Sequence, residues 1–170
     1  DEKNLAISPL AELLLFAADR AMHCEHLLKE AIENHDLVIC DRLTDSTLAY
    51  QGYGRGLPIE MLKSLNQIAT AGVTPDLVIL LDIEPERSLK RAKSRADKNS
   101  ALSSNKTDDW NHFEAQNLAF HTRVRNGFLK LAQNTEQYKF CIINSESSKD
   151  EVVKQAILAI ETHLALPSMK

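Results

Sequence analysis

Apolar residues near the start of the chain recur at helical spacing: Leu10, Leu13, Leu14, Ala17, Ala21 and Cys24 form one stripe. The stripe continues, with a bend, through Leu27, Leu28 and Ile32, and Asn34-His35-Asp36 ends it. Ser8-Pro9 before it predicts an N-cap followed by proline at the first helical position, where the missing N–H costs nothing. The pattern then changes. Leu37-Val38-Ile39-Cys40 is a short continuous apolar run, as expected of a strand covered on both faces. Residues 77–81, finishing at Asp82, and Phe140-Cys141-Ile142-Ile143 predict two more such strands. Helices are expected over about 58–71, ended by Gly72, from Pro85 to about Arg95, over 110–133 and over 149–164. The small, polar stretch 97–109 reads as a mobile loop. Buried strands alternating with helices imply right-handed crossovers and a parallel α/β sheet. No internal repeat or second domain interrupts the pattern, so the 170 residues are expected to form a single domain.

Composition narrows the function classes. With 44% hydrophobic and 26% charged residues the chain is expected to bury a core. Its formal net charge of −4 gives no general reason for binding nucleic acid or an anionic membrane. Cys24, Cys40 and Cys141 are odd in number and widely spaced, which suits reduced thiols in a cytoplasmic protein better than a disulfide framework. No apolar run is long enough to span a bilayer, and the N-terminal residues lack signal-peptide character. His23 and His26 are three apart, but no third ligand stands at a recognisable metal spacing.

Ligands of parallel α/β sheets bind outside the carboxyl ends of the strands. Asp41-Arg42 follows one predicted strand directly. Taken alone, the dipeptide reads equally well as a helix-capping carboxylate beside a surface ion pair. Ser46, Thr47, Tyr50 and Gln51 then place hydroxyls and an amide within one or two helical turns of Arg42. The glycines of Gly52-Tyr53-Gly54-Arg55-Gly56 lack the spacing of a dinucleotide fingerprint. Phe16 and Arg20, four apart, share a helix face, and alone they read as core and as the solvated end of a stripe.

Val38-Ile39-Cys40-Asp41-Arg42 followed by Asp45-Ser46-Thr47-Leu48-Ala49-Tyr50-Gln51-Gly52 resembles the strand, Asp-Arg motif and thymidine-binding helix of bacterial thymidylate kinases. Leu15-Phe16-Ala17-Ala18-Asp19-Arg20 and Thr74-Pro75-Asp76-Leu77 are similar to further segments of that family, and the resemblance runs over nearly the whole chain. It implies a P-loop NTPase-type parallel sheet flanked by helices, and Mg²⁺- and ATP-dependent phosphorylation of dTMP to dTDP by a homodimer. It implies that Phe16 stacks on the base, that Arg20 bonds its exocyclic carbonyl, and that Thr47 and Gln51 read its edge, with Ser46 and Tyr50 also lining the substrate site. Arg42 would clamp the 5′-phosphate, and Asp41 would organise Mg²⁺ through water. Arg91, Lys93 and Arg95 match lid positions that act on the transferring phosphoryl group, within a lid region at about 91–112 that also includes Glu114 at its far margin.

The chain departs from that family mildly at Leu43, where Tyr is usual after Asp-Arg, and more strongly in two other respects. Asn111-His112 stands where Asp-Arg is usual before the glutamate. No Gly-x-x-x-x-Gly-Lys-[Ser/Thr] occurs in the 170 residues, and the chain opens on Asp1 rather than Met. The resemblance therefore implies a kinase domain missing its first strand, phosphate loop and first helix, with apolar strand edges exposed and little phosphoryl transfer from ATP by these residues alone. A non-catalytic remnant that keeps the nucleotide pocket is one alternative, and a different nucleoside or nucleotide kinase is another.

Overall fold

The computed structural model describes residues 7–102, 116–133 and 139–164, with backbone only at 95–102. Helix α1 (Pro9–His23) starts where Ser8 and Pro9 predict, the Ser8 hydroxyl accepting from the Ala11 N–H at 3.2 Å. The expected bend is a π-helical segment, Cys24–Leu28, after which α2 (Lys29–Asn34) closes the stripe. A short helix α3 (Thr44–Thr47) runs into a second π-helical segment, Leu48–Gly54. Then come α4 (Ile59–Thr70), strand β1 (Leu77–Asp82), α5 (Pro85–Leu102), α6 (Leu118–Leu131), β2 (Lys139–Asn144) and α7 (Lys149–Leu164). Helix α4 ends on two successive left-handed residues, Ala71 at φ 48° and Gly72 at φ 87°.

β1 and β2 pair in parallel, from Leu77 opposite Lys139 to Asp82 opposite Asn144. α7 packs against both strands and α5 against α6. The core lies mainly among the helices. Leu13, Leu48 and Leu62 form one buried cluster, and Ala49, Phe120 and Val124 a second, with Tyr50 and Phe128 against it. Both clusters draw on the π-helical segment 48–54, which α6 covers along its length.

Three expectations need correction. Residues 37–40 form no strand, because no neighbouring strand among the described residues supplies a ladder; Ile39 is 79% exposed. Helix α5 continues through residues 97–102, where a loop was expected, since neither glycine nor proline interrupts that stretch. The last predicted helix before β2 begins at Leu118, not near 110: the Asn117 side chain accepts from the Phe120 N–H at 2.9 Å and starts it there. The rest of the expected loop, and Asn111, His112 and Glu114, lie outside the described residues.

The carboxyl end of the sheet is tied to α6. Asp82 accepts two hydrogen bonds from the Arg125 guanidinium, at 2.8 and 2.9 Å, and Glu84 pairs with the same group. This fork holds the Asp82 carboxyl below its ordinary value of 3.8. A depressed folded-state pKa contributes stability above pH 3.8 that is lost as pH falls through the lowered value. Asp82→Asn should therefore cost about 1–3 kcal/mol at neutral pH, with the difference shrinking as pH falls below 3.8. Urea melts of both proteins at pH 7 and near pH 3 check this; a deficit that stays constant with pH would refute it.

Candidate functional site

A cleft of ≈ 270 Å³ lies between α1 and the chain from Asp41 to Gln51. Its two walls have different chemistry because two kinds of local structure build them. On α1, helical spacing puts Phe16 and Arg20 on one face, joined by Asp19 and His23. Phe16 is 39% exposed, so it faces the cleft and is not core.

Arg20 is 9% exposed and is no solvated end of a stripe. Its Nη1 donates to Asn66 Oδ1 and its Nη2 to the Leu43 carbonyl, each at 3.1 Å. Asn66 in turn donates to the Thr44 carbonyl at 3.2 Å. Burial pushes the Arg20 pKa down, with Cys24, Asp19 and Cys40 opposing the change. A guanidinium so held keeps its charge and has little freedom to swing.

The opposite wall begins at Asp41 and Arg42. Arg42 has φ 69°, a left-handed conformation that costs a non-glycine residue of order 1–3 kcal/mol. The Cys40 thiol donates to the Arg42 carbonyl at 3.3 Å, and burial, aided by Asp41, raises that thiol's pKa and keeps its proton in place. The Arg42 guanidinium lies 5.3 Å from the centre of the Tyr50 ring, over its face. Ser46, Thr47, Tyr50 and Gln51 complete this wall.

Thr47 Oγ1 is buried and has no hydrogen-bond partner among the described residues, a costly state for a hydroxyl at the edge of a cleft. Gln51 is 2% exposed, and its Nε2 donates to Glu12 Oε1 at 2.9 Å. Glu12 also pairs with Arg55 at 3.2 Å, and Arg55 donates to Gln116 at 3.1 Å while lying over the Phe120 ring.

All seven residues expected around a substrate, with Asp41, thus line one cleft. The lid residues do not. Arg91 donates to the Ser145 carbonyl at 2.9 Å and borders a second, open depression of ≈ 720 Å³ with Arg87, Lys90 and Ser145, at the carboxyl end of the sheet. Lys93 is exposed on the same helix, and the Arg95 side chain is outside the described residues. Glu12, Asn66 and Asp19 were not picked out from sequence, and His23 was weighed only as a metal ligand. For Glu12 and Asn66 the available signal was a charged or amide residue inside an apolar stripe.

A thymidylate kinase family model matches residues 2–157. A thymidylate kinase from Geotalea daltonii is 47% identical over 151 residues, which cover 89% of this chain and 68% of the relative. One from Desulfovibrio desulfuricans is 43% identical over 164 residues, covering 96% and 73%. One from Maridesulfovibrio salexigens is 44% identical over 144 residues, covering 85% and 64%. The chain thus spans between 64% and 73% of the length of these three relatives. The family match takes in the whole cleft and both strands, and the chain belongs to the thymidylate kinase family of phosphate-transferring enzymes.

Proposed function

We propose that this chain provides the acceptor site of an enzyme that transfers the terminal phosphoryl group of ATP to dTMP, giving dTDP. The observation that carries this reading is the cleft itself. It joins an aromatic face, a buried and fixed guanidinium and an unpartnered hydroxyl to a carboxylate and an arginine. That set suits a flat, polar-edged base attached to a phosphate.

Phe16 stacks on the pyrimidine, Arg20 donates to its exocyclic carbonyl, and Thr47 and Gln51 meet the remaining edge. Ser46 and Tyr50 line the path to the phosphate, which Arg42 grips. The acceptor phosphate is a dianion near neutral pH and is itself the nucleophile. Positioning and charge neutralisation therefore carry the chemistry, with no strong general base.

Asp41 beside Arg42 fits a Mg²⁺ ion that keeps most of its waters and takes one protein carboxylate and substrate oxygens. Bound with ATP, that ion would neutralise charge on the transferring group. A basic depression along α5, bordered by Arg87, Lys90 and Arg91, suits a polyphosphate, and Arg91, Lys93 and Arg95 belong in this reading to a lid region spanning about 91–112. Residues 1–170 act as one nucleoside monophosphate kinase domain in this reading, cytoplasmic and paired as a homodimer. Exposed apolar residues on α1 and α4, among them Leu10, Leu14, Met61 and Ile68, support the pairing. No helix among the described residues is long and apolar enough to cross a membrane.

Calorimetric titration with dTMP tests the acceptor site. Arg20→Ala should weaken dTMP and dUMP alike by about tenfold or more, because a charge-assisted hydrogen bond is lost. Unchanged affinity would overturn the base assignment.

A further inference from the structure

We infer that Glu12, which lies behind the cleft wall, is a positioning residue that sets the polarity with which the site reads a pyrimidine. The inference rests on the proposed base-binding role of the cleft and goes one layer behind it.

A glutamine amide can face a ligand with either its oxygen or its nitrogen, and the two faces select opposite partners. Glu12 removes that choice for Gln51. It is a buried carboxylate, 7% exposed and ion-paired with Arg55, and a carboxylate so paired only accepts. Its Oε1 holds the Gln51 Nε2 at 2.9 Å. Turning the amide over would put two oxygens face to face in a buried place, which is strongly disfavoured. Gln51 lines the cleft, and with its Nε2 held by Glu12 its Oε1 is the amide atom left to meet a ligand. Its outward-facing character is therefore that of an acceptor.

Arg20, on the facing wall, can only donate, and Asn66 and the Leu43 carbonyl hold it. A fixed donor and a fixed acceptor facing one cleft match a ring with a carbonyl next to an N–H. Thymine and uracil have that order at O4 and N3. Cytosine has the reverse, an amino group next to a bare ring nitrogen. Thr47 can donate or accept, so its hydroxyl adapts to either ring and cannot make the distinction.

The test measures dTMP, dUMP and dCMP binding by calorimetry to the wild-type chain and to Glu12→Gln. The uncharged amide that this substitution introduces can meet either face of Gln51, so the Gln51 amide is free to turn. The preference for dTMP over dCMP should then fall by about tenfold, while dTMP and dUMP remain matched. Equal weakening of all three ligands, with the preference intact, would show that Glu12 is only structural and overturn the inference while leaving the base site standing. A wild-type chain with no preference for dTMP over dCMP would overturn the base reading, and this inference with it.

Thermal melting shows whether Glu12→Gln folds. If it does not, Gln51→Met decides, with dTMP compared against its N3-methyl derivative. The wild type should bind the methylated ligand at least about tenfold more weakly, and Gln51→Met should erase that gap. A gap that survives the substitution would overturn the inference.

Discussion

Arg42→Ala should weaken dTMP binding by roughly 10- to 100-fold while leaving thymidine binding within about twofold. The selectivity follows from position. Arg42 lies at the Asp41 end of the cleft, with its guanidinium over Tyr50, whereas Arg20, the group read as meeting the base, is on the opposite wall. In the proposed reading Arg42 grips only the phosphate, so removing its fork leaves the nucleoside contacts in place. Lysine at the same position should recover little, since a point charge cannot form two parallel bonds. The backbone gives a second, independent handle. Alanine keeps the Cβ and so keeps the strain of φ 69°. Arg42→Gly should relieve it and raise stability by about 1 kcal/mol, while binding dTMP as poorly as Arg42→Ala. A strained arginine that is worth more replaced than kept, by stability alone, is the pattern expected where function holds the residue in place. Titrations with dTMP and thymidine, together with a melting curve for the glycine variant, check both halves. Equal loss of both ligands would remove Arg42 from the phosphate.

Local chemistry that depends only on neighbours in sequence was legible before the structure. Ser8-Pro9 marks a helix start, the apolar runs before Asp82 and Asn144 mark paired strands, and the segment from Asp41 to Gln51 carries one wall of the cleft. What could not be read depends on distant partners. The run at 37–40 has strand character, but a strand is defined by its ladder, and no neighbour among the described residues supplies one. The stretch 48–54 is π-helical rather than α-helical, and its wider turn is held in place by α6 packing over it. Glu12 and Asn66 were invisible as site residues because their role arises only when a partner 39 or 46 positions away arrives beside them. A buried charge or amide inside an apolar stripe was the one trace they left in the sequence.

The same dependence on α6 gives the largest expected effect on stability. Gly127→Val should destabilise the fold by about 3 kcal/mol, lowering Tm by about 6–12 °C for a chain of this size. A Cβ at Gly127 would stand 2.6 Å from Tyr53 Cδ2 and 2.7 Å from Tyr53 Cβ and Cγ. The far end of a side chain can rotate away, but the Tyr53 Cβ is fixed to its backbone, so α6 or the π-helical segment must move. Glycine costs a helix interior about 1 kcal/mol relative to alanine. Even Gly127→Ala should therefore lose, because an overlap that displaces backbone outweighs that gain. The clash also has a functional consequence. Phe120 and Val124 on α6 pack against Ala49 and Tyr50, and the next residue along is Gln51. Displacing α6 should thus weaken dTMP binding as well as stability, although Gly127 touches no part of the cleft. Tyr53→Gly removes both the ring and the Cβ, so the double variant Gly127→Val with Tyr53→Gly should lose less than the sum of the two single losses. Strict additivity in that cycle, or a Gly127→Val protein that melts like wild type, would mean that the close approach of α6 to Tyr53 does not hold this wall of the site.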